Sequence, residues 1–129
     1  AKAQLQHTTS NGSKGGNGWS VDGSGSALTA TDSESSSNKN CGAYAFFGAS
    51  LTLVRSSCFG NGGLGWRGGG SGSSITAETS RSTGNKDGNA AEYDNARCTL
   101  RGTCDLGGQS VKKNLRFAEC VAGQVIQKV

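Results

Sequence analysis

Short stretches of alternating hydrophobic and polar residues recur along this chain and predict β-strands. In Ser50–Val54, Leu51 and Leu53 point to one face and the polar residues to the other. Arg97–Arg101 shows the same alternation, with its cysteine and leucine on one side. A period of two with threonine and leucine is typical of half-buried strands. Further candidates are Ala3–His7, Leu28–Thr31, Ile75–Glu78 and Val125–Val129, and Lys112–Ala122 is a short helix or a strand.

The chain also repeats itself at an offset of 47 residues. Gly18–Leu53 and Gly65–Leu100 align without a gap and are identical at 16 of 36 positions. Each copy begins with a Gly-Trp pair, which contains Trp19 or Trp66 and precedes a Gly-Ser loop. A fixed period of this size marks a duplicated structural unit. The expected units are residues 3–48, 49–95 and, in part, 96–129, within a single domain of residues 1–129.

These patterns predict an all-β fold. Asn-Gly and Asp-Gly turn dipeptides separate the strand candidates, and no sustained helical spacing of apolar residues is present. The expected fold is a Gly/Ser-rich, disulfide-stabilised sandwich or barrel built from the tandem repeats of about 47 residues. The alternative is a trefoil-like barrel in which the third unit is shortened.

Composition adds a problem of stability. Only 33% of residues are hydrophobic, 22 are glycine and none is proline. A core this small requires support from disulfides, a partner chain or self-assembly. Five cysteines favour an oxidising compartment, so we expect a secreted, extracellular protein. No apolar run is long enough for a membrane helix, so membrane insertion is not expected.

The cysteines are expected to form two bridges, Cys41–Cys58 and Cys104–Cys120. Cys98 is expected to keep its thiol, because it takes the inward position that Leu51 holds in the sister unit. Zinc sites need closer cysteine spacing and more histidine than this chain has, so no metal is expected. No motif indicates a cofactor either.

Catalytic signals are weak. His7 is the single histidine and aligns with inward leucines, while the nine carboxylates are not duplicated with the scaffold. No catalytic residue is therefore predicted, and a small secreted hydrolase is only a second alternative. The net charge of +4 is compatible with an anionic surface, but a single aromatic in the basic stretch makes nucleic acid an unlikely partner.

The duplicated Gly-Trp loops are the best candidate for a binding site. An indole on an exposed loop can stack on a sugar, while serine and asparagine donate hydrogen bonds. The alternative is that both tryptophans fold back into the core. The expected ligand-binding residues are Trp19, Trp66, Ser24, Ser26, Ser71, Ser73 and Asn17.

The repeats and cysteines also resemble the small two-repeat lectins of the cyanovirin type, over Cys41 to Cys58 and Ser74 to Gly88. The regular apolar positions expected after Ile75 are missing, so no site residue is transferred from that family. The prediction is a lectin-like binding protein whose partner is a carbohydrate or cell-surface polymer. The alternative is an extracellular structural subunit that self-associates by pairing β-strands.

Overall fold

The computed structural model shows an all-β chain wound into a solenoid of parallel strands. It describes residues 2–14, 16–93, 95–106, 110–112, 115–116 and 125–126. Three sheets, named A, B and C here, are formed. Sheet A contains β1 Lys2–Gln6, β4 Ala27–Thr31, β7 Ser50–Val54, β10 Ser74–Glu78, β13 Arg97–Arg101 and β16 Leu115–Arg116. Sheet B contains β2 Thr9–Asn11, β5 Glu34–Ser36, β8 Ser57–Phe59, β11 Arg81–Thr83, β14 Thr103–Asp105 and β15 Ser110–Lys112. Sheet C contains β3 Trp19–Asp22, β6 Ala43–Phe46, β9 Leu64–Gly69, β12 Gly88–Tyr93 and β17 Val125–Ile126.

From β1 to β12 each coil of the solenoid adds one strand to every sheet in turn, whereas β15 and β16 pair antiparallel with β14 and β13. Ala27 of β4 pairs with Ser50 of β7, and Ser50 pairs with Ser74 of β10. These steps are 23 and 24 residues, so the 47-residue offset spans two coils. The predicted sandwich or barrel and its trefoil alternative are therefore wrong. The Asn-Gly dipeptides and Asp87-Gly88 lie at the corner where the chain passes from sheet B to sheet C.

The two-coil period comes from alternation of large and small side chains inside the solenoid. In sheet C the inward column consists of Trp19, Ala43, Trp66 and Ala90. In sheet A one inward column consists of Leu5, Ala30, Leu53, Ala77 and Leu100. Large residues thus occupy the first, third and fifth coils and alanines the two between. Such alternation fills an interior whose wall has a fixed spacing between strands.

A row of buried asparagines forms the corner between sheets B and C. Asn38, Asn61 and Asn85 occupy the same place in successive coils and are at most 6% exposed. The backbone N–H of Asn38 donates to Oδ1 of Asn61, and that of Asn61 to Oδ1 of Asn85, both over 3.0 Å. Because the chain turns here without a sheet partner, these side chains satisfy backbone groups that would otherwise be buried without a hydrogen bond.

Serines form the corresponding row between sheets A and B. The backbone N–H of Ser33 donates to Oγ of Ser56, and that of Ser56 to Oγ of Ser80. The preceding residue of each coil has a left-handed backbone. These residues are His7, Asp32, Arg55, Thr79 and Gly102. His7 is exposed at this corner, so the prediction that it faces inward with the leucines is wrong.

The strand predictions are confirmed for Ser50–Val54 and Arg97–Arg101, which coincide with β7 and β13. Leu51, Leu53, Cys98 and Leu100 are buried as expected. Lys112–Ala122 contains the described strand β16, and its other residues are largely outside the described part. In the described ranges no helix has the length and hydrophobicity needed to cross a bilayer.

No disulfide is present among the described cysteines. Cys41, Cys58, Cys98 and Cys104 are buried thiols, so the predicted Cys41–Cys58 bridge is wrong. Cys58 lies in the interior cluster, whereas Cys41 packs with Leu64 in a separate cluster that includes half-buried tyrosines. Cys120 lies outside the described residues, and so does the predicted Cys104–Cys120 bridge. The stability of this part of the solenoid therefore rests on stacked coils and hydrogen-bonded corners.

Candidate functional site

The two tryptophans lie inside the solenoid. Trp19 is 4% exposed and Trp66 is fully buried, in one cluster with leucines and alanines. The prediction that their indoles project from loops as ligand contacts is corrected by this burial. In a chain with few large apolar residues, the two indoles provide much of the available core volume.

The glycine before each tryptophan has a packing role. A Cβ atom on Gly65 would collide with Ser82 Oγ and approach the backbone oxygen of Asn89 to 2.8 Å. Gly18 meets Ser35 and Asn38 in the same way. The serine and asparagine belong to the next coil. The glycine of each Gly-Trp pair therefore allows neighbouring coils to stack closely.

The Gly-Ser loops form the corner between sheets C and A. Ser73 is 2% exposed; its Oγ donates to the oxygen of Gly69 and accepts the N–H of Gly48, both at 2.8 Å. Ser24 and Ser71 are exposed, and Ser26 is half-buried. Of the residues predicted to bind a ligand, Asn17 alone lines the cavity described next.

A cavity of about 340 Å³ opens on the outer face of sheet C, where its strands begin. Small-molecule sites typically have volumes of about 300–1,000 Å³. It is lined by Asn17, Asn40, Cys41, Tyr44, Gly63, Leu64, Arg67, Asp87 and Tyr93. Residues from four successive coils therefore meet here. We refer to it as the sheet C cavity.

Backbone stacking places the polar residues of this cavity. The N–H of Gly63 donates to the oxygen of Asn40, and the N–H of Asp87 donates to the oxygen of Gly63. Asn40 and Asp87 are thus two coils apart, about 10 Å at the spacing of paired strands, with a residue that has no side chain between them. Nearby, Asn17 Oδ1 accepts the backbone N–H of Cys41 at 2.9 Å.

Arg67 is the central residue of the cavity. Its guanidinium carbon lies 4.7 Å from the ring centroid of Tyr44 and 4.7 Å from that of Tyr93. The rings come from the coils before and after Arg67, so the cation has an aromatic neighbour on each side. Such cation–π contacts stabilise a cation and fix its orientation.

Aromatic side chains continue from the cavity along sheet C. Tyr44 and Phe46 are on the outer face with ring centroids 4.6 Å apart, and Phe46 is 5.0 Å from Phe47. Phe47 is 71% exposed. We refer to Tyr44, Phe46, Phe47 and Tyr93 as the aromatic strip. Exposed apolar groups that adjoin a polar cavity commonly mark binding sites.

Gly69 makes the room that Tyr44 needs. A Cβ atom at Gly69 would lie 3.1 Å from the hydroxyl of Tyr44 and 3.3 Å from its ring. That distance is tighter than normal van der Waals contact, so a side chain there would displace the tyrosine from its place beside Arg67. The glycine therefore helps to shape the aromatic wall of the cavity.

Cys41 contributes a buried thiol to the cavity floor. Burial raises the pKa of this thiol, and a backbone hydrogen bond with Leu64 and the nearby Arg67 charge offset only part of the increase. The group is therefore a neutral thiol at physiological pH and a weak acceptor for the donors of Arg67.

Carboxylates do not converge in the cavity. Asp87 is the one acidic residue among its described lining residues. Asp32 is paired with Arg55 at 2.8 Å, and Asp105 with Arg81 at 3.4 Å, on other surfaces. Within the described ranges no group of three potential metal ligands is present. The site can therefore stack on rings and bind polar groups, but it lacks the pair of acids that glycoside hydrolysis uses.

Sequence reasoning missed Tyr44, Arg67 and Tyr93, although a signal was available. At the 47-residue offset Asn40 matches Asp87 and Phe46 matches Tyr93, so polar and aromatic character recurs at corresponding positions. Their position on an outward face could be recognised only when the coil length was known.

No protein-family model, curated protein or solved structure matches this chain. The resemblance to two-repeat lectins of the cyanovirin type gains no support from these comparisons. The sheet C cavity and the aromatic strip are therefore the features of this chain from which a function can be inferred.

Proposed function

We propose that this chain is a carbohydrate-binding protein that holds a saccharide on the outer face of sheet C. The observation that carries the proposal is the continuity of the aromatic strip with the polar sheet C cavity. The proposal keeps carbohydrate as the expected ligand. It assigns the binding to tyrosine, phenylalanine and arginine side chains instead of the tryptophan loops. An extracellular location remains a prediction that belongs to this proposal.

The chemistry of the surface is complementary to a sugar. A pyranose ring has an apolar face of C–H groups, which packs on aromatic rings, and a rim of hydroxyls, which needs donors and acceptors. The aromatic strip provides the first kind of contact. Asn17, Asn40 and Asp87 line the cavity with amide and carboxylate groups that suit the second.

The length of the binding surface is a further argument, and it favours a ligand of several sugars. The aromatic strip spans from Phe47, at the corner, to the cavity between Tyr44 and Tyr93. Phe47 exposes 71% of its surface to water, which costs free energy unless a partner covers it. A ligand that covers both the ring and the cavity would be longer than one sugar.

Binding to an immobilised glycan array tests the proposal directly. The full chain should bind at least one glycan, and Tyr44→Ala and Phe47→Ala should weaken that binding. Phe59→Ala is the matched control, because Phe59 is a partly exposed phenylalanine on sheet B. Loss of binding in the sheet C variants but not in the control supports the proposal. No binding to any glycan, or equal loss in all three variants, would overturn it.

End-to-end assembly is a second candidate function with its own observation. Within the described residues, no strand pairs with the outer edges of β1, β2 and β3. Ala3 is exposed there, although it aligns with the inward Leu28 of the next coil. Exposed edges with inward apolar residues favour strand addition by another chain.

Sedimentation of the purified chain tests assembly. If copies stack through this edge, the sedimentation coefficient rises with concentration, and Leu5→Lys abolishes the increase by placing a charge among inward residues. Gln4→Lys, on the outward face of the same strand, should leave assembly intact. A concentration-independent monomer would exclude this function.

A further inference from the structure

We infer that the saccharide bound at the sheet C cavity carries a carboxylate, and that Arg67 is the residue that recognises it. This inference rests on the proposed function and specifies the class of ligand. Uronic acids are a class of sugars with this chemistry, since they combine a pyranose ring with a planar carboxylate.

The hydrogen bonding of Arg67 is incomplete among the described residues. Its Nε atom is buried and has no hydrogen-bond partner in the described part of the chain. No carboxylate in that part forms an ion pair with Arg67, although Asp87 lines the same cavity. A charged arginine without an acidic partner costs free energy at a half-buried position. A ligand anion would supply that partner.

The neighbours of Arg67 limit how a ligand can approach it. Tyr44 and Tyr93 lie beside the guanidinium, each at 4.7 Å, and Cys41 contributes a neutral thiol. A guanidinium donates its hydrogen bonds from the edge of its plane, where its N–H groups lie. That edge matches a carboxylate, which accepts two parallel hydrogen bonds from arginine.

Asp87 sets the orientation of such a ligand. Its carboxylate repels a second negative charge but accepts hydrogen bonds from sugar hydroxyls. The acid group therefore lies at the Arg67 end of the cavity, and neutral hydroxyls face Asp87. This arrangement rejects a ligand with negative charge at both ends and separates a uronic acid from a simple polyanion.

The test compares an otherwise neutral oligosaccharide that carries one terminal galacturonic acid with the methyl ester of the same oligosaccharide, by isothermal titration calorimetry. The two ligands share the same sugar rings and differ in charge. We expect the acid to bind about ten- to hundred-fold more tightly than the ester, the range for a hydrogen-bonded charge. Arg67→Gln should remove that difference, while residual binding of both ligands through the aromatic strip remains.

Arg67→Lys and Arg97→Gln complete the experiment. Lysine retains the charge but not the planar fork, so its preference for the acid should be intermediate. Arg97→Gln removes an exposed cation from sheet A and should leave both affinities unchanged. Circular dichroism of each variant establishes that the solenoid is folded.

The outcomes separate this inference from the proposed function. Equal binding of acid and ester, or an equal loss of both in Arg67→Gln, would overturn the role of Arg67 and leave carbohydrate binding standing. No binding of any saccharide, with Tyr44→Ala without effect on the array, would instead overturn the proposed function. Equally tight binding of free acetate would show that the site takes a simple anion and would overturn the assignment of a uronic acid.

Discussion

The side-chain oxygen of Asn61 accepts two hydrogen bonds from Asn38, one from the backbone N–H and one from the side-chain amide, both at 3.0 Å. The amide of Asn61 in turn donates to Asn85 Oδ1 at 2.8 Å and to the oxygen of Ser35 at 3.2 Å. One residue thus connects three coils at a buried corner. Loss of the Asn61 side chain would therefore leave hydrogen-bond donors and acceptors unpaired in the coil before it and in the coil after it.

Asn61→Ala should therefore destabilise the protein by about 3 kcal/mol, since each buried polar group without a partner costs about 1–3 kcal/mol. Urea denaturation followed by circular dichroism measures the change in the free energy of unfolding. Asn11→Ala is the control, because Asn11 is exposed at the end of β2. Equal stability of the two variants would show that the asparagine row does not support the corner.

Gly65→Ala tests the close stacking of coils. The added methyl group would collide with Ser82 Oγ and reach the amide nitrogen of Asn85 at 2.5 Å, so the coils must separate locally. Overpacking of this kind costs about 1–3 kcal/mol. Gly16→Ala is a matched control, because a Cβ atom there has no neighbour within 4 Å. A shift in melting temperature should occur for Gly65→Ala and be absent for Gly16→Ala.

The strands could be predicted from the sequence, but the way they pair could not. Alternation identified β7 and β13 and their inward residues, because the side-chain period of a strand is local. Parallel pairing joins Ala27 to Ser50, and such contacts leave no local pattern. The strongest repeat was misleading for a physical reason: Trp19 and Trp66 match each other, while Ala43 between them conceals the single-coil period.

The site was hidden for a related reason. Tyr44, Arg67 and Tyr93 are separated in sequence by about one coil each, and only the stacking of β6, β9 and β12 brings them together. Tryptophan between glycines predicts an exposed loop, yet the glycines before Trp19 and Trp66 serve close packing. Composition describes what a segment contains, whereas the direction of a side chain depends on the register of its strand.

Fluorescence quenching tests the burial of the two tryptophans without a mutation. Because Trp19 and Trp66 are at most 4% exposed, native emission should resist quenching by acrylamide, and quenching should increase strongly in urea. Efficient quenching in the native protein would place at least one indole in water. That result would restore the loop interpretation of the Gly-Trp pairs.

The thiols provide a test of the corrected cysteine assignment. Burial raises the pKa of Cys41, Cys58 and Cys104, so these groups are protonated at pH 8 and poor nucleophiles. Iodoacetamide should alkylate them slowly in the native protein and rapidly in urea. Non-reducing peptide mapping should find Cys41 and Cys58 in separate peptides. A linked peptide would show that the bridge forms after all.

The pair of Asp32 and Arg55 gives a pH-dependent prediction. A two-fold hydrogen bond from Arg55 lowers the pKa of Asp32 below its ordinary value near 3.8. A carboxyl with a depressed pKa in the folded state stabilises that state above its unfolded pKa. The contribution disappears as pH falls through the folded value.

Asp32→Asn should therefore reduce the free energy of unfolding at pH 6 and have a smaller effect at pH 2.5, because the contribution of the ion pair diminishes once the pH is below the unfolded pKa near 3.8. Because the pair is exposed, the difference should be small and should shrink further in 1 M salt. Urea titrations at the two pH values measure it. Asp22→Asn, at the exposed end of β3, is the control for removing a charge without a described ion pair. An effect of Asp32→Asn that does not change with pH would mean that the carboxyl acts by its shape and not by its charge.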